Sequence, residues 1–105
     1  MDIQAIVASK KHAICCRSAE EMRWVERQFQ MLGVCWVTGG LFYLFDWCWN
    51  ALKDSGHCCF GNDNTGRMCH GTIAGYTGSH IIIEAADLMA AASPAYDMKE
   101  LLDLL

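Results

Sequence analysis

The sequence has no run of basic residues, no long uninterrupted apolar stretch and no recognisable catalytic signature. Each absence removes a class of function. Lys and Arg number 8 against 12 Asp and Glu, giving a formal charge of −4. That balance argues against nonspecific nucleic-acid binding, which needs clustered cations to displace counterions. It leaves room for a basic partner surface but is too mild for a nucleic-acid mimic. The most apolar stretch, Leu41 to Leu52, includes Asp46 and Asn50 and is too short to cross a bilayer. The N-terminus, "MDIQAIVASKKHAICC", has Asp2 where an export signal carries positive charge, and Lys10 and Lys11 interrupt its apolar run. The expected location is therefore the cytoplasm. No nucleophile elbow, phosphate loop or H-E-x-x-H motif occurs. Adjacent Cys15-Cys16 is not the C-x-x-C of a thiol oxidoreductase. Without a positive catalytic motif, the expectation is a protein that is not an enzyme.

What is present is apolar and rich in thiols. Hydrophobic residues make up 53% of the 105 residues and charged ones 19%, which excludes disorder of the whole chain. The length suits one domain, 1–105, with no repeat, low-complexity tract or linker inside it. A domain this small is marginally stable, and association into a homo-oligomer would help it. The 7 cysteines, in a reducing compartment, serve mainly as small buried apolar residues.

The spacing of apolar residues predicts the elements. "HAICCR" (12–17) reads as a strand. Ser18, with Glu21 three residues on, opens a helix whose Met22, Val25, Phe29 and Leu32 form one stripe. Glu20, Arg23, Glu26 and Arg27 fall largely off that stripe, and Gly33 supplies the left-handed cap. "VCWVTGG" (34–40) reads as a second strand. The aromatic insert 41–56 allows two readings: Gly39-Gly40 as a hairpin turn into a strand 41–45, or a helix over 41–53 ending near Gly56, with the helix favoured. Residues 57–73 read as a hairpin around "NDNTG". "SHIIIE" (79–84) reads as a central strand buried on both faces. "AADLMAAA" turns helical, and Ser93-Pro94 restarts a C-terminal helix over 94–105 with Met98, Leu101, Leu102 and Leu105 on one face. Together these give an α+β fold: a small mixed or antiparallel sheet of about four to five strands, one main amphipathic helix packed on it and a short C-terminal helix.

The stretch "HCCFGNDNTGRMCHG" (57–71) packs two His and three Cys around one turn. With "NDNTG" as a five-residue loop, Cys59 lies opposite Cys69 and Cys58 opposite His70, so potential ligands divide between the two faces of the hairpin. A one-residue slip pairs His57 with His70 and Cys58 with Cys69, and divides them again. One face could offer His57, Cys59 and Cys69, three of the four ligands of a closed zinc site. The other reading is a hairpin with buried thiols, and zinc is the sole cofactor in view. A calcium loop is excluded, because placing Gly66 at the invariant glycine puts Gly61 on the first ligand and Thr72 on the closing Glu. The pairs Cys69-His70 and His57-Cys58 allow a nucleophilic Cys–His arrangement, but such pairs meet in space and need a third, orienting group. Glu84 and Asp87 read as helix-capping acids.

Phe42, Tyr43, Phe45, Trp47 and Trp49 carry more aromatic surface than one face of a small domain needs. They are the candidate partner-binding residues; packing in the core is the competing use. A small signalling nucleotide stacked on an aromatic platform is the second candidate, with Arg17, Trp36, Arg67 and Tyr76 as its residues.

The pattern "ICCRSAEEMRWVERQFQMLGVCWVTGG" together with "GYTGSHIIIEAADLM" resembles small accessory proteins of tailed bacteriophages. In these a strand leads into a helix and an "LG-x-x-W-x-x-G" strand, and a last strand runs into a short acidic helix. The matching residues are Leu32, Gly33, Trp36 and Gly39, then Ile82, Glu84, Asp87 and Leu88, and the resemblance covers about half the chain. It implies a host-takeover or anti-defence role in the cytoplasm of a bacterial host, with binding rather than catalysis as its means. The expectation is a stoichiometric inhibitor of a host defence protein; the alternatives are a nucleotide sponge and a zinc-binding module at 57–70.

Overall fold

A computed structural model describes residues 2–63 and 66–92. The expected C-terminal helix over 94–105 and the start signal at Ser93-Pro94 lie outside the described residues. The chain runs through α1 (Ile3–Ser9), β1 (His12–Cys16), α2 (Ala19–Met31), α3 (Asp46–Ser55), β2 (Cys58–Asn62), β3 (Met68–Gly71), α4 (Ile73–Tyr76) and β4 (Ile81–Glu84). A further helix, α5, occupies 85–92. The strands form one mixed sheet in the order β3-β2-β1-β4, with β1 antiparallel to β2 and parallel to β4. This is the expected α+β architecture, with α2 as its main amphipathic helix.

Local chemistry sets the helices. The Ser18 hydroxyl accepts from the Glu21 N–H at 3.2 Å, and the Glu21 carboxylate reaches back to the Arg17 N–H, so the start of α2 closes on itself. Met22, Val25 and Phe29 are buried, and Gly33, at φ +71°, takes the conformation that ends the helix. α1 has no counterpart in the sequence reading. Asp2 caps it through the Ala5 N–H at 2.8 Å, and it buries Ile6.

The sheet separates two apolar layers, because side chains alternate along each strand. Ile14, Cys16, Cys58, Phe60 and Met68 face the large core shared with α1, α2, α3 and α5. Ala13, Cys15 and Cys59 face the other way, under Tyr76 of the single-turn α4. Gly61 and Gly71 make that roof possible. A Cβ at Gly61 would lie 2.6 Å from the Tyr76 ring, and one at Gly71 would lie 3.2 Å from it.

Four expectations need correction. The isoleucine run forms β4, which is an edge strand, and Ile81 is 60% exposed. The central strands are β1 and β2; an apolar β-branched run suits either place once helices cover part of it. Residues 34–40 contribute only isolated bridges, Cys35 to Leu41 and Trp36 to Met68. Their backbone groups instead close a tight turn, with the Gly39 N–H donating to the Trp36 carbonyl and the Trp36 N–H to that of Gly40, both at 2.8 Å. The helix expected over 41–53 begins at Asp46, and it ends as foreseen, with Gly56 at φ +76°. The hairpin at 57–73 is present but in neither expected register. Gly61 pairs with Cys69, Phe60 with His70 and Cys59 with Gly71, because Asn62 extends β2 and the turn is displaced toward Arg67.

Candidate functional site

The segment between α2 and α3 folds back on itself around Trp36. The Val34 N–H donates to the Phe29 carbonyl at 2.9 Å, and the Phe42 N–H to that of Val34 at 3.2 Å. Trp36 is buried, and its Nε1–H donates to the Tyr43 carbonyl at 2.7 Å, which satisfies the indole in an apolar setting. Its ring stacks on Phe42 with centroids 4.5 Å apart, packs at 4.7 Å on Phe45 and meets the His70 imidazole edge-on at 5.5 Å. This aromatic cluster anchors the loop to the core and carries other rings to the surface.

Those outer rings border a cavity of about 250 Å³ lined by Trp36, Val37, Thr38, Phe45, Cys69 and His70. Trp47, in the first turn of α3, stacks on the His70 ring at 4.2 Å, with planes 27° apart. Tyr43 meets Phe45 edge-on at 4.6 Å. Tyr43 is 50% and Trp47 48% exposed, and Val37 and Leu41 of the same loop are exposed too. Large apolar side chains of this loop and of the first turn of α3 are therefore in contact with water.

His70 is the polar member of this group. Burial lowers its pKa and favours the neutral ring. Its Nδ1 is buried and has no hydrogen-bond partner among the described residues. The hydrogen bond from the Met68 N–H to Cys35 and that from the Val37 N–H to Met68 show that Met68 points its backbone groups away from β2. By strand alternation those of His70 point the same way, toward the open edge of β3.

The five rings expected to form one partner surface divide. Tyr43 and Trp47 are exposed, while Phe45 is half-buried and lines the cavity. Trp49 packs against the core, with the Arg23 guanidinium 5.2 Å above its ring. Phe42 lies in the core and presents nothing to a partner, because Trp36, Phe29 and Phe60 enclose it. On α3, Trp47 faces outward and Cys48 inward, while Phe42 and Tyr43 precede the helix and take their places from the loop.

The nucleotide candidates do not converge. Trp36 and Arg67 lie near the cavity, with Arg67 donating to the Val37 carbonyl at 3.4 Å. Tyr76 and Arg17 belong to the opposite face of the sheet. There Arg17 is committed to Glu84 through two bonds of 2.8 and 3.1 Å, so neither cation stands over a ring as a phosphate clamp. Glu84 ends β4 immediately before α5, the helix-start position expected of it, and there it is also the ion-pair partner of Arg17.

The metal candidates are likewise separated in role. His57 accepts from the Ile73 N–H through Nε2 at 3.2 Å, and its Nδ1 lies 3.2 Å from the Ser55 carbonyl, so both nitrogens are engaged. Cys59 pairs across the sheet with Cys15, and Cys69 stands opposite Gly61. Among the described residues no three His, Cys, Asp or Glu side chains are arranged to hold an ion. The hairpin register is the cause of this correction: within β2–β3 it sets Gly71 opposite Cys59 and Gly61 opposite Cys69, so the two thiols are not cross-strand partners.

Two features escaped the sequence reading. The neighbours of His70 are Trp36 and Trp47, not a second ligand or a nucleophile, and no periodicity joins 36, 47 and 70. The second is a row along the outer face, Arg17, Glu84, Cys15 and Cys59. It depends on β4 pairing in parallel with β1, which no local signal specifies. No helix among the described residues is long and apolar enough to cross a membrane. Compared with protein-family models, curated proteins and solved structures, the chain matches none.

Proposed function

We propose that this chain is a small non-enzymatic binding protein whose partner surface is centred on Trp47 and Tyr43, around the cavity at His70. The observation that carries the reading is the pair of half-exposed rings, each held against an inner one: Trp47 on His70 and Tyr43 on Phe45. Large rigid rings beside a pocket are the side chains that dominate interface energetics. Held in place beforehand, they lose little conformational freedom on binding. Taken with the resemblance to phage accessory proteins, the partner is a host defence protein, and inhibition is stoichiometric occlusion in the bacterial cytoplasm. The same apolar loop, with Val37 and Leu41 exposed, suits assembly into a homo-oligomer.

The test is to express tagged chain in bacteria that carry a phage-defence system, count plaques and identify what co-purifies. The wild type should restore plaques and retain one defence protein at fixed stoichiometry. Trp47→Ala and Tyr43→Ala, with an unchanged circular dichroism spectrum, should lose both. Plaque counts and retention equal to wild type in both variants would overturn the reading.

A further inference from the structure

The β1–β2 ladder sets cysteines directly opposite one another twice, Cys15 with Cys59 and Cys16 with Cys58. The two pairs are not equivalent. The Asp63 N–H donates to the Arg67 carbonyl at 2.8 Å, which makes 63/67, and by alternation 61/69 and 59/71, the hydrogen-bonded pairs of the hairpin. Residues 58 and 60 therefore turn their backbone groups to β1. The Ile81 N–H to Lys11 carbonyl bond agrees, since it turns the backbone groups of Ala13 and Cys15 toward β4. Cys16/Cys58 is thus a hydrogen-bonded pair and Cys15/Cys59 a non-hydrogen-bonded one. In the latter the Cα atoms approach to about 4.5 Å and the side chains are closest, within the roughly 4.4–6.8 Å that a disulfide spans.

The surroundings favour the same pair. Cys58 turns into the large core, in the cluster that also holds Cys16 and Cys48. On the outer face Cys15 stands between Cys59 of β2 and Glu84 of β4, its register partners on either side, and both cysteines are buried in one cluster. Glu84 is held by Arg17, and that ion pair is partly exposed. The row therefore runs from a buried thiol to solvent, beneath a roof, α4, of a single helical turn.

We propose that Cys15 and Cys59 are a dithiol site that reacts with low-molecular-weight disulfides and closes a β1–β2 cross-link. The Cys15 thiol loses its proton past Glu84 to solvent, and its thiolate attacks one sulfur of the reagent. The reagent's S–S bond breaks, one thiolate leaves and takes up a proton, and a mixed disulfide remains on Cys15. Cys59, deprotonated in turn, attacks the Cys15 sulfur and expels the second thiol. Two cysteine thiols are oxidised, one external disulfide is reduced to two thiols, and the protons balance. Burial of both sulfurs makes the reaction slow, because α4 must lift to admit the reagent.

The experiment uses the full chain, native and reduced, with 2-hydroxyethyl disulfide as probe, followed by intact mass and fragmentation mass spectrometry. Trypsin leaves Cys15 and Cys16 together in peptide 12–17, and Cys58 and Cys59 together in 54–67, so fragmentation between the adjacent cysteines assigns the link. The expected product has lost two hydrogens, joins Cys15 to Cys59, and unfolds at a higher temperature than the reduced protein. Cys16→Ser/Cys58→Ser should still form it, and Cys15→Ser should not. A link through Cys16 or Cys58, or no link after the reagent has modified the partly exposed Cys35, overturns the proposal. Both of those outcomes are read on the wild-type chain and do not depend on a variant folding.

Discussion

Trp47 lies nearly parallel to the imidazole of His70, with ring centroids 4.2 Å apart, although 22 residues of chain and a complete strand separate them. That stack covers one face of the imidazole and helps keep water from it. Burial is the leading cause of the low His70 pKa. Trp47→Ala should therefore raise the His70 pKa toward the ordinary value of about 6.5. A proton NMR titration of the ring reads it directly. An unmoved titration would mean that the indole does not shield the ring.

The same group makes stability depend on pH. A histidine whose folded pKa is depressed contributes stability above its unfolded pKa, and that contribution is lost as pH falls through the folded value. Urea denaturation should show stability declining below about pH 6.5. The decline should be shallower in His70→Gln.

Gly61 is required by the roof, not by its own backbone. Gly61→Ala drives a methyl group into the Tyr76 ring and should cost about 1–3 kcal/mol, measured by urea unfolding. In a Tyr76→Ala background the same change should cost much less, and that difference isolates the contact.

Trp36 holds the loop that carries Tyr43, so its loss should affect both fold and surface. Trp36→Ala should destabilise by about 3–5 kcal/mol, as removal of a large buried side chain does. Trp36→Phe keeps an aromatic ring and loses the bond to the Tyr43 carbonyl, so it should cost less than Trp36→Ala. Thermal unfolding of the two variants side by side separates the ring from its N–H.

Glu84 gives the acid limb. Its hydrogen bonds to Arg17 hold its carboxyl below the usual range, so its contribution is complete above the unfolded pKa of about 4.3 and is lost as pH falls through the folded one. Both side chains reach solvent, and the effect should be small. Glu84→Gln should lose a little stability at neutral pH and show a flatter decline on acidification.

Much of the architecture was legible because its causes are local. Ser18, Glu21 and the 22/25/29 stripe specify α2, and the glycines at 33 and 56 stop two helices at their own residues through positive φ. "HAICC" and the polar turn after Phe60 specify a strand and a hairpin. Local sequence alone determined these, since hydrogen bonds and spacings within a few residues suffice.

The tertiary structure decided the rest, because it rests on partners far apart in sequence. The placement of β4 at an edge, the hairpin register and the assignment of Phe42 to the core and Trp47 to the surface depend on which faces the packed elements cover. A hairpin register set by turn length and by packing against β1 puts Gly71 of β3 opposite Cys59 and Gly61 of β2 opposite Cys69, and so separates the two thiols of the expected ligand set. The same packing joined Cys15 to Cys59 and Trp47 to His70. Those pairs are adjacent only in space, where burial and cross-strand alternation act and sequence spacing carries no record.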